Sequence, residues 1–509
     1  MTKYIIAHDL GTSGNKASLF TDKGEYIGST IYPYPTDYFN ANWAEQDTSD
    51  WWRAICETNR LLTRDIDKKD IAAISFSGQM MGCICVDRNG NALRKAIIWA
   101  DMRATKEQAT LESKIEKDRF YKITGHKISC SYSLEKLMWI KNNQPEIYEK
   151  TYKMLNPKDF IVYKLTGEFL TDYSDASGTN AFDLTAFEWS DEIIRAAGID
   201  KGKFPRAVPS TYIAGELSER VALECGLHKG TKVVMGGGDG CCANVGAGSV
   251  SEGKTYNCLG SSSWIATTTK QPIFDDEYRT FNWAHAVPGF IAPCGTMQSA
   301  GAAFNWVKNQ ICTSEVLEAK QKEISPYELI NEEIERSVVG SNGLYFLPYL
   351  MGERSPRWNP HAKGAFIGLK MEHTRADLLR SVIEGIAYNL NIILNVFRQK
   401  VDIHEITVIG GMAKGRVQRR ILADVFNTKL LTLNYLDEAS SIGAAVCAGV
   451  GVGILKDFSE VGKFIRVVQE DEPDPQNAQK YAKLSAAFDK CYAALLDVYE
   501  DLALQDKNL

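Results

Sequence analysis

The residue whose setting points most directly to chemistry is Asp239, which follows three consecutive glycines at positions 236–238. The glycines come after residues 232–235, a run rich in β-forming side chains, and Gly240 follows the aspartate. Glycine backbone allows a ligand to approach closely, and a carboxylate at that point can accept the proton of an attacking hydroxyl group. Taken alone, the stretch fits a tight turn with a solvated aspartate equally well, because glycine-rich turns are common.

A second carboxylate, Asp9, lies in a similar setting near the N-terminus. Residues 4–10 have the composition of a strand. The residues that follow this strand are Gly11, Thr12, Ser13 and Gly14. Two strand-then-glycine segments can place Asp9 and Asp239 around one phosphoryl group. This pairing favours phosphoryl transfer over a solvated turn at Asp239.

The pattern of strand, small-residue turn and strand recurs in the second half of the chain. Residues 254–259 and 264–269 are predicted strands, because both runs are rich in β-forming side chains. The turn between them consists of Gly260, Ser261, Ser262 and Ser263. The N-terminal counterpart spans residues 4–20, which indicates an internal repeat. Both turns offer the backbone N–H groups and hydroxyls that bind a polyphosphate.

A third glycine-rich turn follows the predicted strand 405–409. The turn consists of Gly410, Gly411, Met412, Ala413 and Lys414, and a predicted helix follows it at 417–426. A glycine turn at the N-terminus of a helix suits a nucleotide. By contrast, residues 248–255 match the Walker A pattern but precede β-forming residues instead of a helix, so we reject a P-loop there.

Composition limits the classes of partner. At 509 residues the chain exceeds what one hydrophobic core usually organises, so at least two domains are expected. A net charge of −6 provides no basic field for nucleic acid or an anionic membrane, and the expected partner is a small molecule. Residues 439–455 are uncharged but too short to cross a bilayer, so they predict a buried helix. The N-terminal residues do not resemble a signal peptide, which predicts a cytoplasmic protein whose 12 cysteines are reduced.

Polar and thioether side chains follow two other predicted strands. The candidate pocket residues after the strand at 71–76 are Gln79, Met80 and Met81. The strand at 97–99 ends in Trp99 and leads to Asp101 and Arg103. From the residues alone, a local ion pair at a helix start explains Asp101 and Arg103 better than a ligand site. Residues 171–177 are predicted to form a polar loop.

Over nearly its whole length the sequence resembles the FGGY carbohydrate kinases, and within that family it is most similar to the xylulokinases. Two long family signatures match, at residues 131–143 and from residue 364 to residue 384. Shorter matches occur at residues 77–80, at Trp99 with Asp101 and Arg103, and at residues 171–177 and 347–354. Ordered matches of this length are very specific.

The resemblance implies an α/β fold of two ribonuclease-H-like domains, related by duplication, with a cleft between them, in the actin-like ATPase superfamily. Residues 1–252 are then expected to form an N-terminal domain that binds the sugar and carries the catalytic base. Residues 253–509 are expected to form a C-terminal domain that binds ATP. The resemblance also implies Mg²⁺ as a cofactor, and it leaves open whether the chain forms a homodimer.

The family's functional residues transfer to matching positions of this sequence. The resemblance makes Asp239 the general base and assigns Asp9, together with Asp239, to the Mg²⁺ site. The implied sugar contacts are Gln79, Met80, Met81, Trp99, Asp101, Asp239 and Gly240. The implied nucleotide contacts are Gly11, Thr12, Ser13, Lys16, Gly260, Ser261, Ser262, Gly410, Gly411 and Ala413.

Three positions depart from the xylulokinase pattern. Met81 replaces a histidine, Gly240 replaces an asparagine, and Met412 replaces a glycine of the adenosine-side turn. Because the first two lie on the sugar side, we expect the preferred substrate to be a related ketose or polyol, with D-xylulose secondary. The alternative is a catalytically silent, sugar-responsive binding protein on the same scaffold, and the intact Asp9 and Asp239 argue against it.

Overall fold

Two seven-stranded β-sheets, one in each half of the chain, organise the computed structural model, which describes residues 2–506. The strands of the first sheet are Tyr4–Leu10, Gly14–Thr21, Tyr26–Pro33, Ile71–Gly78, Ile213–Glu216, Lys232–Val234 and Gly237–Gly238. The strands of the second sheet are Thr255–Leu259, Ser263–Thr267, Phe281–Ala284, Ile291–Met297, Glu405–Ile409, Lys429–Leu433 and Val467–Asp471.

Each sheet is built on an antiparallel hairpin with a parallel strand beside it. The N-terminal hairpin is Tyr4–Leu10 with Gly14–Thr21, and the C-terminal hairpin is Thr255–Leu259 with Ser263–Thr267. The first strand of each hairpin also pairs with a parallel strand, Ile71–Gly78 in the first sheet and Glu405–Ile409 in the second. This repeat agrees with the two duplicated α/β units expected from the sequence.

In the described part of the chain, helices cover the two large sheets, and five small β-sheets of two or three short strands lie outside them. The helices are Thr48–Leu62, Thr105–Glu112, Lys117–Thr124, Ser133–Asn143, Pro145–Lys150, Pro157–Thr166, Tyr173–Ser177, Asp191–Ala197, Glu219–Cys225, Asp239–Gly246, Gly301–Gln310, Thr313–Lys322, Pro326–Glu335, Arg375–Arg398, Arg416–Phe426, Ala439–Gly451, Pro475–Ala494 and Leu496–Asp506. The strands of the small sheets, sheet by sheet, are Asp37–Phe39, Trp43–Gln46 and Ala96–Ile97; Ile84–Val86 and Lys153–Leu155; Leu170–Asp172 and Arg206–Val208; Phe182–Asp183 and Glu188–Trp189; and Tyr345–Leu347 and Ala365–Ile367.

One helix from the second half of the chain packs on the first sheet. Ala439–Gly451, which we call the bridging helix, contacts the N-terminal hairpin and also Asp239–Gly246, which we call the Asp239 helix. A Cβ atom on Gly246 would lie only 1.9 Å from the carbonyl oxygen of Ala439, and Gly443 makes an equally close approach. Glycine is therefore required where these helices cross. The crossing holds the Asp239 helix against both halves of the chain.

Residues 171–177 differ from the predicted polar loop. Leu170–Asp172 is a strand and Tyr173–Ser177 is a short helix, and most of their polar side chains are buried. The physical reason is Lys158, a buried lysine whose ammonium group ion-pairs with two aspartates of this segment. A run of polar residues predicts exposure only when no buried partner is available to it.

Other expectations agree with the structure. The strand Thr255–Leu259 follows the Walker-like residues, which confirms the rejection of a P-loop. The uncharged residues 439–455 form the buried bridging helix up to Gly451. Within residues 2–506, no helix is both long enough and apolar enough to cross a membrane. All 12 cysteines are unpaired thiols, as expected.

Candidate active site

Asp239 is the first residue of the Asp239 helix, and close contacts explain the glycines before it. A Cβ atom on Gly236 would lie 1.8 Å from a carbonyl oxygen of the adjacent strand, and one on Gly238 would lie 2.4 Å from Sδ of Met80. Gly236 also has a φ of 67°, which favours glycine. The N–H of Gly240 donates a 2.7 Å hydrogen bond to Oδ1 of Asp239. The glycines therefore allow Asp239 to lie directly beside the end of the strand Ile71–Gly78.

The charge state of Asp239 suits acid–base chemistry near neutral pH. Burial raises the pKa of Asp239 to about 7, and the negative charge of Asp9 adds to this shift. Burial also raises the pKa of Asp9, while the Lys16 ammonium and a 3.1 Å hydrogen bond from Ser77 oppose the rise. A carboxylate with a pKa near the working pH can both take up and release a proton.

A buried polar network holds the backbone before Asp239 in place. The N–H of Gly238 donates to Oγ of Ser174 at 2.9 Å, and the same hydroxyl donates to Oδ2 of Asp172 at 2.6 Å. Lys158 Nζ lies 2.9 Å from Asp172 and 3.1 Å from Asp175, and all three side chains are fully buried. The segment predicted as a polar loop therefore positions the candidate base from behind.

Asp239 lies on the wall of a pocket of about 210 Å³, which we call the Asp239 pocket. Its apolar lining includes Met80, Met81, Trp99, Tyr256, Trp264, Phe281 and Trp283. Its polar lining includes Asp239, Asn244, Ser262, Thr296, Gln298 and Arg354, and Gly240 completes this side. Aromatic walls with a few polar groups are typical of sites that bind small polar molecules.

A buried lysine fixes two walls of the Asp239 pocket. Lys136 Nζ donates 2.8 Å hydrogen bonds to the carbonyl oxygens of Met81 and Ile98, the residue before Trp99. Met81 has a φ of 60°, a strained backbone conformation for a methionine. Burial lowers the pKa of Lys136 to about 8. The family signature at residues 131–143 thus supplies a group that positions Met81 and Trp99.

Two of the implied sugar contacts lie behind the pocket wall and do not line it. Gln79 Nε2 donates to Oε1 of Gln46 at 2.8 Å, and Asp101 is bound by Arg103 through two hydrogen bonds of 2.9 and 2.7 Å. The Ala44 N–H also donates to Asp101, at 2.6 Å. Direct sugar contact by Gln79 and Asp101 therefore stays a prediction. For Asp101, the geometry matches the local ion pair that the residues alone favoured.

A second cavity of about 850 Å³ lies between the turn of the C-terminal hairpin and the third glycine-rich turn. Its lining includes Gly260, Ser261, Gly301, Asn305, Gly411, Met412 and Gln418. Gly410 has a φ of 89° and Ala413 is fully buried, so these two residues shape the turn from behind. Ser262, by contrast, lines the Asp239 pocket. The turn 260–262 therefore borders both cavities.

The first glycine turn meets the second half of the chain at Lys16. Lys16 Nζ donates to the carbonyl oxygen of Asp437 at 2.5 Å and lies 3.2 Å from Oε2 of Glu438. Ser18 donates to the same carboxylate at 2.9 Å. Lys16 is therefore paired with the second half of the chain in this structure, and nucleotide binding by Lys16 stays a prediction. Ser13, which was also assigned to the nucleotide, is exposed at the turn.

Sequence reasoning assigned no role to five residues that place polar groups at the Asp239 pocket: Asn244, Tyr256, Thr296, Gln298 and Arg354. The Tyr256 hydroxyl donates to the carbonyl oxygen of Gly240 at 2.8 Å and accepts a 2.6 Å hydrogen bond from Nε1 of Trp264. Asn244 lies four residues after Gly240, so this spacing points to it once residues 239–246 are taken as a helix. Arg354 stands inside a matched motif, at residues 347–354, but the match assigns it no role.

The two carboxylates are the candidates for a cation. Within the residues that the structure describes, no group of three or more His, Cys, Asp or Glu side chains is placed to hold a metal ion. Magnesium, however, is usually bound through one or two carboxylates, with phosphate oxygens and waters completing its shell. The like charges of Asp9 and Asp239, which raise the pKa of Asp239, provide a setting that a cation would stabilise.

Family models match most of the chain. The N-terminal domain of the FGGY family of carbohydrate kinases matches residues 4–246, and the C-terminal domain of that family matches residues 255–452. The xylulose kinase of Bacillus subtilis (strain 168) is 32% identical over 99% of this chain and 100% of its own length. The gluconokinase of the same organism is 30% identical over 100% of this chain and 99% of its own length.

Solved structures agree in fold over nearly the whole chain. A gluconate kinase from Lactobacillus acidophilus superposes with a TM-score of 0.92 and 28% identity, covering 99% of this chain and 100% of that one. A ligand-bound xylulose kinase from Lactobacillus acidophilus gives a TM-score of 0.91 and 28% identity, covering 98% of this chain and 100% of that one. The fold therefore belongs to a known architecture.

Proposed function

The chain belongs to the FGGY family of carbohydrate kinases and phosphorylates a sugar hydroxyl with ATP, and we propose that Asp239 is the general base of this reaction. The position of Asp239 supports this proposal. Asp239 lies on the wall of a small, aromatic-lined pocket, and its carboxyl group has a pKa of about 7. Ser262, on the same wall, belongs to a turn that also borders the second cavity. The comparisons give no support to a catalytically silent binding protein.

In this mechanism the sugar binds in the Asp239 pocket and ATP binds in the second cavity. The Asp239 carboxylate accepts the proton of the sugar hydroxyl as the hydroxyl oxygen bonds to the γ-phosphorus. The bond from the γ-phosphorus to the β,γ-bridging oxygen breaks, so the products are the sugar phosphate, ADP and protonated Asp239. Backbone N–H groups of Gly260 and Ser261 are suited to hold the phosphates, because phosphoryl transfer depends mainly on positioning and charge stabilisation.

We assign Mg²⁺ to Asp9 and Asp239. Their oxygen ligands suit a hard cation, and the repulsion between the two carboxylates favours a positive charge beside them. When bound, Mg²⁺ neutralises charge on the phosphates. The hydroxyl of Ser77, 3.1 Å from Oδ1 of Asp9, orients the Asp9 carboxylate in this role.

The preferred sugar is proposed to be a ketose or polyol related to D-xylulose. Support comes from the xylulose kinase of Bacillus subtilis as a relative and from the buried Met80 and Met81 on the pocket wall. Their thioether side chains pack against the carbon skeleton of a sugar but cannot donate a hydrogen bond to its hydroxyls.

A sugar acid is a second candidate, favoured by Arg354. Among the described residues, no hydrogen-bond or ion-pair partner occurs for its guanidinium group, which lines the Asp239 pocket. An unpaired guanidinium in a pocket suits a carboxylate through paired hydrogen bonds. Relatives named gluconokinase and gluconate kinase agree with this candidate.

One experiment distinguishes these substrates. ADP release is measured with MgATP and a substrate panel of D-xylulose, D-ribulose, xylitol, glycerol and D-gluconate. The ketose or polyol proposal expects a neutral sugar to give the highest kcat/KM, with less than about a tenfold loss in Arg354→Met. The sugar-acid candidate expects D-gluconate to lead and to lose about 100-fold in Arg354→Met. The matched control is Arg195→Met, an exposed arginine on Asp191–Ala197.

The remaining expectations stay predictions. The division at residues 252 and 253, the cytoplasmic location and the homodimer are not needed by the mechanism. Size-exclusion chromatography with light scattering tests the dimer directly, since it separates a chain of 56.7 kDa from a pair of chains.

A further inference from the structure

Asn244 combines burial, missing hydrogen bonds and a position on the Asp239 pocket. Its side chain is fully buried, and neither Nδ2 nor Oδ1 has a hydrogen-bond partner. Among the described residues it is the only asparagine or glutamine for which both amide atoms are buried and unpartnered. It nevertheless lines the Asp239 pocket.

An unpartnered carboxamide in a protein interior is unfavourable, because its donor and acceptor have lost their hydrogen bonds to water. Such groups persist where a ligand or an ordered water completes them. The pocket that Asn244 lines also contains the candidate base, so a ligand bound there is within the same enclosed space.

Gly240 explains why the Asn244 side chain can reach a ligand. The two residues are four positions apart on the Asp239 helix, which places them on one face about 6 Å apart along the axis. Helical side chains point towards the N-terminus, so Asn244 points towards Gly240. A Cβ atom on Gly240 would have no heavy atom within 4 Å, so the space beside Gly240 is open to a ligand.

On the basis of the proposed function, we propose that Asn244 is a specificity-determining residue that hydrogen-bonds two oxygen groups of the bound sugar. Its Nδ2 donates to one hydroxyl or carbonyl oxygen, and its Oδ1 accepts from a neighbouring hydroxyl. The glycine at 240 and the asparagine at 244 thus work as a pair: one opens the space and the other supplies the polar contact.

The test uses the two variants Asn244→Leu and Asn244→Ala, each with the panel sugar that gives the highest kcat/KM in the wild type. Both variants should raise KM for that sugar by about 10- to 100-fold, while KM for ATP stays within about twofold. Asn244→Leu should also raise the Tm of the sugar-free protein, since it replaces an unpartnered carboxamide by an apolar side chain of similar size. The control is Asn395→Leu, an exposed position on Arg375–Arg398.

Deoxy analogues of the same sugar make the test specific to the hydrogen bonds. In the wild type, removing the correct hydroxyl should lower kcat/KM by about tenfold or more, and in both Asn244 variants the same removal should change it by less than about twofold. The proposal is overturned if KM for the sugar is unchanged in both variants, or if the deoxy penalty is the same with and without Asn244. Either result would mean that a water completes the amide. The proposed function fails separately, through absence of ADP release by the wild type with every panel sugar.

Discussion

Trp99 and Thr12 are joined by a hydrogen bond of 2.8 Å, donated by the indole Nε1 to the threonine Oγ1. Trp99 forms a wall of the Asp239 pocket, and Thr12 belongs to the first glycine turn. The proposed sugar-contacting side chain of Trp99 therefore also orients Thr12, a residue proposed to contact the phosphates. On this proposal, one hydrogen bond couples the two substrate sites.

Replacing Trp99 by phenylalanine keeps an aromatic wall but removes the donor. We expect Trp99→Phe to raise KM for both the sugar and ATP, and to lower kcat by about tenfold, because the freed Thr12 hydroxyl is no longer oriented. Steady-state kinetics with each substrate varied in turn measure the effect. Trp306→Phe, an exposed tryptophan elsewhere, is the matched control. An effect on the sugar KM alone would show that Trp99 only packs against the sugar.

Removal of the divalent cation should abolish sugar phosphorylation. Asp9 and Asp239 provide carboxylates, and the turn residues at 11–13 and 260–262 provide no cationic side chain to neutralise a triphosphate. Activity is assayed after exhaustive chelation and again after adding MgCl₂ back. Undiminished turnover in the chelated sample would contradict the assignment of a metal to this site.

The raised pKa of Asp239 predicts how the stability of the metal-free protein depends on pH. Between the ordinary pKa of an aspartate and about 7, folded Asp239 keeps a proton that the unfolded chain has released. The free energy of unfolding should therefore fall as pH rises through this window and level off above it. Urea unfolding at a series of pH values, in chelator, should show this contribution in the wild type but not in Asp239→Asn. Identical pH dependences would show that the pKa of Asp239 is not raised.

The two sugar-side departures from the xylulokinase pattern give a specificity prediction. Met81→His with Gly240→Asn restores an imidazole and a carboxamide, each able to hydrogen-bond a sugar hydroxyl. We expect the double variant to raise kcat/KM for D-xylulose relative to the native substrate by about tenfold or more. Competition between the two sugars in one assay measures the ratio. The idea is wrong if D-xylulose already gives the highest kcat/KM in the wild type.

Strand-then-glycine motifs made much of the site predictable from the sequence. Local patterns predicted the strands that end beside Asp9 and Asp239. Local patterns do not reveal partners distant in sequence. For example, the ion pairs with Lys158 allow residues 171–177 to be buried, where Ser174 accepts a hydrogen bond from Gly238. The composition of residues 171–177 does not indicate that Lys158 is their partner.

The same limit applies to Gln79, whose amide donates to Gln46, a residue 33 positions earlier in the chain. The pair of Asp101 and Arg103, by contrast, is local, and the residues alone predicted it. Asn244 became recognisable only when residues 239–246 proved to be a helix, because its relation to Gly240 depends on helical spacing.

The central claim is that Asp239 removes the proton from the sugar hydroxyl, and Asp239→Asn tests it most directly. The asparagine keeps the shape of the side chain but cannot accept the proton. We predict that kcat falls by about 10²- to 10⁴-fold, while calorimetric affinities for the sugar and for ATP change little. If the variant retains more than about a tenth of the wild-type kcat, Asp239 is not the base.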